Sequence, residues 1–156
     1  MKLLFVCTGN SCRSVMAESL FNHLAPQANR EGWEARSCGT AAQKNFPIPS
    51  GVRKALARYG VTRVEHVPQL VSRELVVWAD SVLAMTSAHR EALQALYPDS
   101  AGKMHLFLEK AGLGAEDIAD PIGQPDEIYQ ECCRIIQAGV RNLIKNHVQQ
   151  TPRAGS

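Results

Sequence analysis

The most restrictive feature of this sequence is the way its first apolar run ends. Leu3–Val6 is continuously apolar, which is typical of a strand buried on both faces of a sheet. The run passes at once into a turn at Cys7–Asn10, and the turn passes into residues that repeat at helical spacing: Met16, Ala17, Leu20, Phe21 and Leu24. A buried strand followed directly by a helix indicates a parallel sheet covered by helices.

The rest of the chain repeats this alternation. Strands are predicted around Trp33–Ser37, at Ser81–Met85 and at Lys103–Phe107, and Pro26 is expected to stop the first helix. Further helices are predicted after three caps and one proline: Ser50, Ser72, Thr86 or Ser87, and Pro125. We therefore predict an α/β fold, a four-stranded parallel sheet with right-handed crossovers and helices on both faces, in a flavodoxin-like three-layer sandwich.

Residues 1–148 are expected to form a single domain, and the polar residues 149–156 a disordered tail. The segment from Leu108 to Gln124 is expected to be a loop. In a parallel sheet, catalytic loops lie at the carboxyl ends of the strands, beside the switch in strand order. The loop after the first strand meets that condition.

Composition excludes several classes of protein. The 17 Lys and Arg residues against 15 Asp and Glu are scattered, so no nucleic-acid partner is expected. The longest apolar runs, such as Leu75–Ala79, are far shorter than the ~20 residues that cross a bilayer, and no secretory signal is visible, so we expect a cytoplasmic protein with no membrane partner. The five cysteines are expected to be reduced, and Cys132-Cys133 belongs to no zinc-ligand pattern.

The segment Cys7–Ser14 carries the chemistry. Backbone N–H groups of a tight turn and of a helix's first turn point at one spot, which makes a nest for an anion. Arg13 adds a planar fork for two oxygens of a phosphoryl group. The same positive field favours the thiolate form of Cys7 at the floor of the nest, an arrangement for in-line phosphoryl transfer to sulfur. The Gly-Lys-Ser/Thr ending of an ATP-binding loop is missing.

Thiolate attack needs a proton donor for the leaving group and later a base for the hydrolytic water. Asp120-Pro121 is the best candidate, because it follows the fourth strand at the same edge of the sheet and the proline stiffens the loop after the acid. A carboxylate in a turn would not by itself indicate catalysis. The presence of the Cys7–Arg13 loop in the same chain favours a catalytic role for Asp120.

Four segments together resemble the low-molecular-weight protein tyrosine phosphatase family: Cys7–Glu18, Ser37–Thr40, His66 and Asp120-Pro121. The resemblance implies that Cys7 is the nucleophile, that Arg13 binds the phosphoryl group, and that Asp120 is general acid and then base. It further implies that Asn10 braces the loop, that Ser14 supports the Cys7 thiolate, and that Ser37 and His66 support the loop from outside. The loop is completed by Thr8, Gly9 and Ser11. Cys12 either forms a protective disulfide with Cys7, as the resemblance suggests, or is a buried thiol that packs under the loop. The family mechanism requires no metal and no cofactor. The expected partners are phosphorylated proteins and phosphate or other oxyanions, and we expect a monomer.

The substrate stays open between phosphotyrosine and phosphoarginine. Tyrosine-specific members usually have a bulky aliphatic residue at the Ser11 position and aromatic residues after the Asp-Pro pair, where this chain has Ile122-Gly123; many members also have Asp at Thr86. These departures resemble the bacterial branch that acts on phosphoarginine, although that branch more often has Thr at the Ser11 position. Ser11 and Ile122 are therefore the predicted specificity residues.

Two other classes of protein compete with the phosphatase prediction. Arsenate reductases of related fold share the Cys-Thr-Gly-Asn-Ser-Cys-Arg loop but need two further cysteines after the third strand, and none occurs between Met85 and Leu108. A phosphate-binding module without catalysis would not need both Cys7 and Asp120. We therefore favour the phosphatase over both.

Overall fold

The computed structural model describes the backbone of residues 1–150 and the side chains of residues 1–146. Four parallel strands form one sheet in the order β2-β1-β3-β4: β1 (Lys2–Cys7), β2 (Glu34–Gly39), β3 (Ser81–Ala84) and β4 (Met104–Leu106). The chain leaves β1 toward β2 on one side and later returns to β3 on the other. The switch in strand order therefore lies beside the carboxyl end of β1, and the predicted sheet is confirmed.

Helices cover both faces of the sheet. One face carries α1 (Arg13–Gln27), α2 (Ser50–Ala57), the short α5 (Phe107–Lys110) and α6 (Asp126–Gln150). The other face carries α3 (Arg73–Trp78) and α4 (Ser87–Leu96). Across residues 1–150, no helix combines the length and the apolar character that crossing a membrane requires.

Successive side chains of β1 point to opposite faces of the sheet, so they belong to two separate hydrophobic cores. Leu3 and Phe5 face α1 and α6, whereas Leu4 and Val6 face α3 and α4. Phe5 is fully buried and meets two aromatic rings edge-on, Phe21 at 6.4 Å and Phe107 at 5.4 Å between centroids. Burying one such side chain contributes about 2–3 kcal/mol. Two-sided burial explains why the β1 segment is apolar at every position.

The helix caps agree with the sequence at two of three places. The Leu75 amide donates to Ser72 Oγ at 3.2 Å, and the His89 amide donates to Thr86 Oγ1 at 3.1 Å. The Ser50 cap was wrong, because the extended backbone of Pro49 (φ −59°, ψ 146°) holds the cap position and Ser50 is the first helical residue. Proline at that position sets the entry angle without a side-chain hydrogen bond.

Element ends differ from prediction in small ways. Helix α1 continues through Pro26 to Gln27, because amides of Ala28 and Arg30 bond back to carbonyls of its last turn. The predicted loop after β4 begins with the one-turn helix α5, and a 3₁₀ turn at Pro98–Lys103 precedes β4. Helix α6 runs to Gln150 and so includes the first two residues of the predicted tail, whose remainder, 151–156, lies outside the described residues.

Candidate active site

A cleft of about 290 Å³ opens at the carboxyl end of β1. The segment between β1 and α1 forms its floor, and the walls come from two distant loops: Phe46, Pro47 and Pro49 on one side, Asp120 and Ile122 on the other. Of the predicted residues, the cleft brings together Cys7, Thr8, Gly9, Ser11, Cys12, Arg13, Asp120 and Ile122. A larger depression of about 550 Å³ lies at the opposite end of the sheet, beside Met1 and Asp80, and its lining includes no Cys, Ser–His pair or arginine.

The loop is braced from behind by Asn10, which is fully buried and has a left-handed backbone (φ 54°). The backbone amide of Gln69 donates to Asn10 Oδ1 at 3.0 Å, and this fixes which end of the side-chain amide is the oxygen. The amide nitrogen donates to Ser14 Oγ at 2.8 Å and to Ser37 Oγ at 2.9 Å. Asparagine tolerates left-handed backbone better than most residues, and these bonds hold it there.

The Cys7 thiol at the floor of the cleft lies 2.9 Å from Ser14 Oγ. Because Ser14 Oγ already accepts from Asn10, its hydroxyl proton is free to be donated to the sulfur. A hydroxyl that donates to the sulfur can stabilise the negative charge that sulfur carries as a nucleophile or as a leaving group. Asn10 and Ser14 thus act in series on the thiol.

Polar residues outside the loop hold Asn10 and Ser37 in place. Asn10 Oδ1 can only accept, so His66 Nε2, at 2.9 Å, donates to it. The other ring nitrogen of His66 lies 3.3 Å from Glu18 Oε2, which also accepts from Ser37 Oγ at 3.0 Å. The predicted supports Ser37 and His66 therefore reach the loop through Asn10, and neither lines the cleft.

Arg13 begins α1 and is buried, with a side-chain exposure of only 5%. Its Nη1 donates to the Ile118 carbonyl at 2.8 Å, and its Nη2 lies 3.7 Å from Asp120 Oδ2. Its Nε is buried and has no hydrogen-bond partner among the described residues. A buried donor without a partner is costly, and an oxyanion bound in the cleft would satisfy it.

Asp120 stands at the mouth of the cleft, where its side chain is 43% exposed. Its Oδ1 accepts from the Ile122 amide at 3.1 Å, so the carboxylate is fixed by its own turn. The other oxygen faces Arg13. Asp120 can therefore meet both solvent and a group bound above Arg13, which is the placement a general acid and base needs.

The second loop cysteine, Cys12, differs from Cys7 in its surroundings. Burial raises the pKa of the Cys12 thiol to about 11, and the charges of Asp120 and Cys7 act in the same direction. Its polar neighbours include Ser11 Oγ at 3.8 Å and the Tyr129 hydroxyl. Cys12 is therefore a thiol at neutral pH. Cys132 and Cys133 are buried in the core, and no metal-binding cluster is found in the part of the chain that the structure describes.

Sequence reasoning missed several residues that the structure brings to the site. Phe46 forms a wall of the cleft, Gln69 and Glu18 complete the brace behind Asn10, and His89 contacts Thr8. Glu18 lies one helical turn after Ser14, a spacing that places both on one face of α1. No signal in the sequence connects Phe46 or Gln69 to the loop.

Comparison with known proteins gives a consistent result. Residues 2–153 match the model of the low molecular weight phosphotyrosine protein phosphatase family. A protein-arginine-phosphatase of Bacillus subtilis is 33% identical over 147 residues, which is 93% of this chain and 95% of the relative.

Two solved phosphatase structures are similar to this chain along nearly the whole length of both chains. The structure of YwlE arginine phosphatase, in a cysteine-to-serine variant with a phosphorylated active-site serine, has a TM-score of 0.90, 30% identity and coverage of 96% and 97% of the two chains. A low molecular weight protein tyrosine phosphatase from T. tengcongensis has a TM-score of 0.88, 37% identity and coverage of 94% and 99%.

The fold and the site together define a cysteine-dependent protein phosphatase. The chain belongs to the low molecular weight phosphotyrosine protein phosphatase family. This finding favours phosphatase chemistry over the arsenate-reductase and phosphate-binding alternatives. The positions of the described cysteines agree, because none lies between Met85 and Leu108.

Proposed function

We propose that this phosphatase hydrolyses phosphoarginine in proteins, through a phosphate bound covalently to Cys7. The observation that carries the proposal is Ser11, a small hydroxyl side chain that belongs to the phosphate loop (Cys7–Ser14) and lines the floor of the cleft. A hydroxyl can accept a hydrogen bond from the N–H groups of a phosphorylated guanidinium, which a bulky aliphatic residue cannot.

In the first step, the Cys7 thiolate attacks phosphorus in line with the leaving group. The S–P bond forms and the P–N bond to the guanidino group breaks, while Asp120 gives its proton to the departing nitrogen. Arg13 and the loop N–H groups hold the equatorial oxygens, and the unpartnered Arg13 Nε is suited to receive one of them.

In the second step, water attacks the cysteinyl-phosphate. The Asp120 carboxylate takes the proton from water, the P–O bond to water forms, and the S–P bond breaks. The thiolate that leaves is stabilised by the hydroxyl of Ser14, 2.9 Å from Sγ. Inorganic phosphate departs, Asp120 is protonated again and the enzyme is ready for a second turnover.

Phosphotyrosine is the second candidate substrate, and the apolar character of the cleft walls favours it. Phe46, Pro47, Pro49 and Ile122 present apolar surface above the loop, and an aromatic ring packs well between such groups. Ile122, at 56% exposure, forms an open edge rather than a closed aromatic wall. That openness suits the longer, flexible phosphoarginine side chain and weakens stacking on a phenyl ring.

The test compares kcat/KM for phosphoarginine and phosphotyrosine peptides in the wild type, Ser11→Ile and Ser11→Ala. Ser11→Ile should lower phosphoarginine hydrolysis about tenfold more than phosphotyrosine hydrolysis, from one lost hydrogen bond and a narrower floor. Ser11→Ala is the matched control that removes the hydroxyl without adding bulk. A wild type that does not hydrolyse phosphoarginine, or equal losses on both substrates in Ser11→Ile, would refute this preference.

The setting of the enzyme follows from the same chemistry. We infer that residues 1–148 act as one catalytic domain, as a monomer, on phosphorylated proteins. A thiolate nucleophile with a second thiol in the same loop needs a reducing compartment, which supports a cytoplasmic location. Gel filtration of the purified chain in reductant would test the monomer.

A further inference from the structure

His89 lies in the first turn of α4, and its side chain contacts the phosphate loop. Its ring is buried, with 7% of the residue exposed, and both ring nitrogens contact threonine hydroxyls. Nδ1 lies 2.9 Å from Thr86 Oγ1, and Nε2 lies 2.8 Å from Thr8 Oγ1. Thr8 is the residue after Cys7 and lines the cleft, so this histidine reaches the catalytic loop through a single side chain.

Donor counting favours one direction for each of these hydrogen bonds. Thr86 Oγ1 already accepts the backbone N–H of His89 at 3.1 Å, so its own proton is available to Nδ1. A neutral ring that accepts at Nδ1 carries its proton on Nε2 and donates it to Thr8 Oγ1. The Thr8 hydroxyl proton is then left for a molecule in the cleft.

The charges around the ring support the neutral form. Burial lowers the pKa of His89 below its usual 6.5, and the positive charge of Arg13 lowers it further. The carboxylates of Asp117 and Asp120, on the loop before α6, act in the opposite direction and do not outweigh those two. The His89 ring therefore carries one proton, rather than two, at neutral pH.

We propose that His89 is a positioning residue for phosphoryl transfer, which acts through Thr8 by donating from Nε2 and so directs the Thr8 hydroxyl proton toward the bound phosphoryl group. Thr8 is also held by its carbonyl, which accepts from the Ala41 amide at 3.0 Å. Its side chain and main chain are thus fixed from opposite sides, and the loop keeps the shape that the transition state requires. This inference rests on the proposed phosphatase function.

The variants at position 89 are chosen by how far their side-chain nitrogen extends from the backbone. The side-chain nitrogen of glutamine extends as far as His Nε2, whereas that of asparagine extends only as far as Nδ1. His89→Asn should lower kcat on a chromogenic aryl phosphate about tenfold with little change in KM, as expected for one lost hydrogen bond that matters in the transition state. His89→Gln should restore most of kcat. His23→Gln, on α1 and outside the cleft, is the control.

A double-mutant cycle separates positioning from packing. If His89 acts through Thr8, then Thr8→Val combined with His89→Asn should be no slower than Thr8→Val alone. Additive losses, or a His89→Gln variant as slow as His89→Asn, would overturn the proposal. Thr8→Val leaves the histidine in place, and a wild-type kcat in that single variant would overturn the proposal even if the His89 variants do not fold.

A measurement without activity tests the proton directly. The ¹⁵N spectrum of the imidazoles at pH 7, with His89 assigned by its loss in His89→Gln, should show a neutral ring protonated at Nε2. A ring protonated at Nδ1, or at both nitrogens, would refute the inference even in a fully active enzyme. A wild type that hydrolyses no phosphorylated substrate would instead refute the proposed function, and the spectrum would still decide the state of His89.

Discussion

Gly39, the last residue of β2, should be essential for the shape of the catalytic loop although it contacts no substrate. A Cβ added at this position would lie 2.3 Å from the Thr8 carbonyl oxygen and 3.0 Å from the Asn10 nitrogen. The first contact falls short of the 3.0 Å that real Cβ atoms keep by about 0.7 Å, and the opposing atom is backbone, which cannot rotate away. Gly39→Ala must therefore displace the loop or the strand by that amount.

Two magnitudes follow for Gly39→Ala. Overpacking of a filled interior costs about 1–3 kcal/mol, which lowers Tm by roughly 3–9 °C in a domain of this size. A shift approaching 1 Å at catalytic groups costs about a hundredfold in rate, so we expect kcat to fall by about 10- to 100-fold.

The assay is kcat on a chromogenic aryl phosphate, together with the inhibition constant of inorganic phosphate and a thermal melt. Gly102→Ala is the matched control, because its Cβ would meet nothing within 4 Å. The reasoning is refuted if Gly39→Ala turns over at the wild-type rate. A lowered Tm with unchanged kcat would also refute it, because the strain would then be absorbed away from the loop.

Four further results are expected. Cys7→Ser should abolish turnover while phosphate still binds, measured by single turnover and by equilibrium binding; residual turnover near the wild-type rate would exclude Cys7 as nucleophile. Asp120→Asn should slow esters with poor leaving groups far more than activated ones, because protonation matters least when the departing oxygen is a weak base; equal losses would indicate a structural role instead. Mild peroxide should join Cys7 to Cys12 reversibly, because peroxide oxidises Cys7 to a sulfenic acid and the Cys12 sulfur, in the same loop, displaces water from it; peptide mapping that finds Cys7 paired elsewhere would disprove the switch. The lowered pKa of His89 means that the unfolded chain binds a proton first as pH falls below 6.5, so the free energy of unfolding should decrease from pH 7 toward pH 5, and less steeply in His89→Gln; parallel curves for the two proteins would contradict this.

The parts of the molecule that the sequence predicts well are those set by neighbouring residues. The β1 strand, the loop after it and the first turn of α1 form one local unit, so the pairing of Cys7 with Arg13 follows from the chain itself. Asp120 was found because parallel strands end at one edge of the sheet. Short elements such as α5 were missed, since four residues show no helical period.

The parts that could not be predicted depend on register between distant segments. Gln69 reaches Asn10 because residues 69 to 71 pair with Gly39 at the edge of β2, and nothing near Gln69 in the sequence marks that contact. Phe46 lies on an irregular loop whose path depends on the packing of α2. Ser50 was assigned as a cap from its residue type alone, while the fixed backbone of Pro49 decided the start of that helix.

The brace around Asn10 has a consequence for protein engineering. Its side chain is committed to partners in three places along the chain: Ser14 in α1, Ser37 in β2, and His66 and Gln69 in the crossover before α3. The eight residues from Cys7 to Ser14 therefore cannot be transferred alone to another protein with their structure intact. Grafted onto another parallel sheet, they would carry the nucleophile and the arginine but lose the contacts that hold Asn10 in left-handed backbone. The smallest transferable unit includes β2 and residues 66–69 as well.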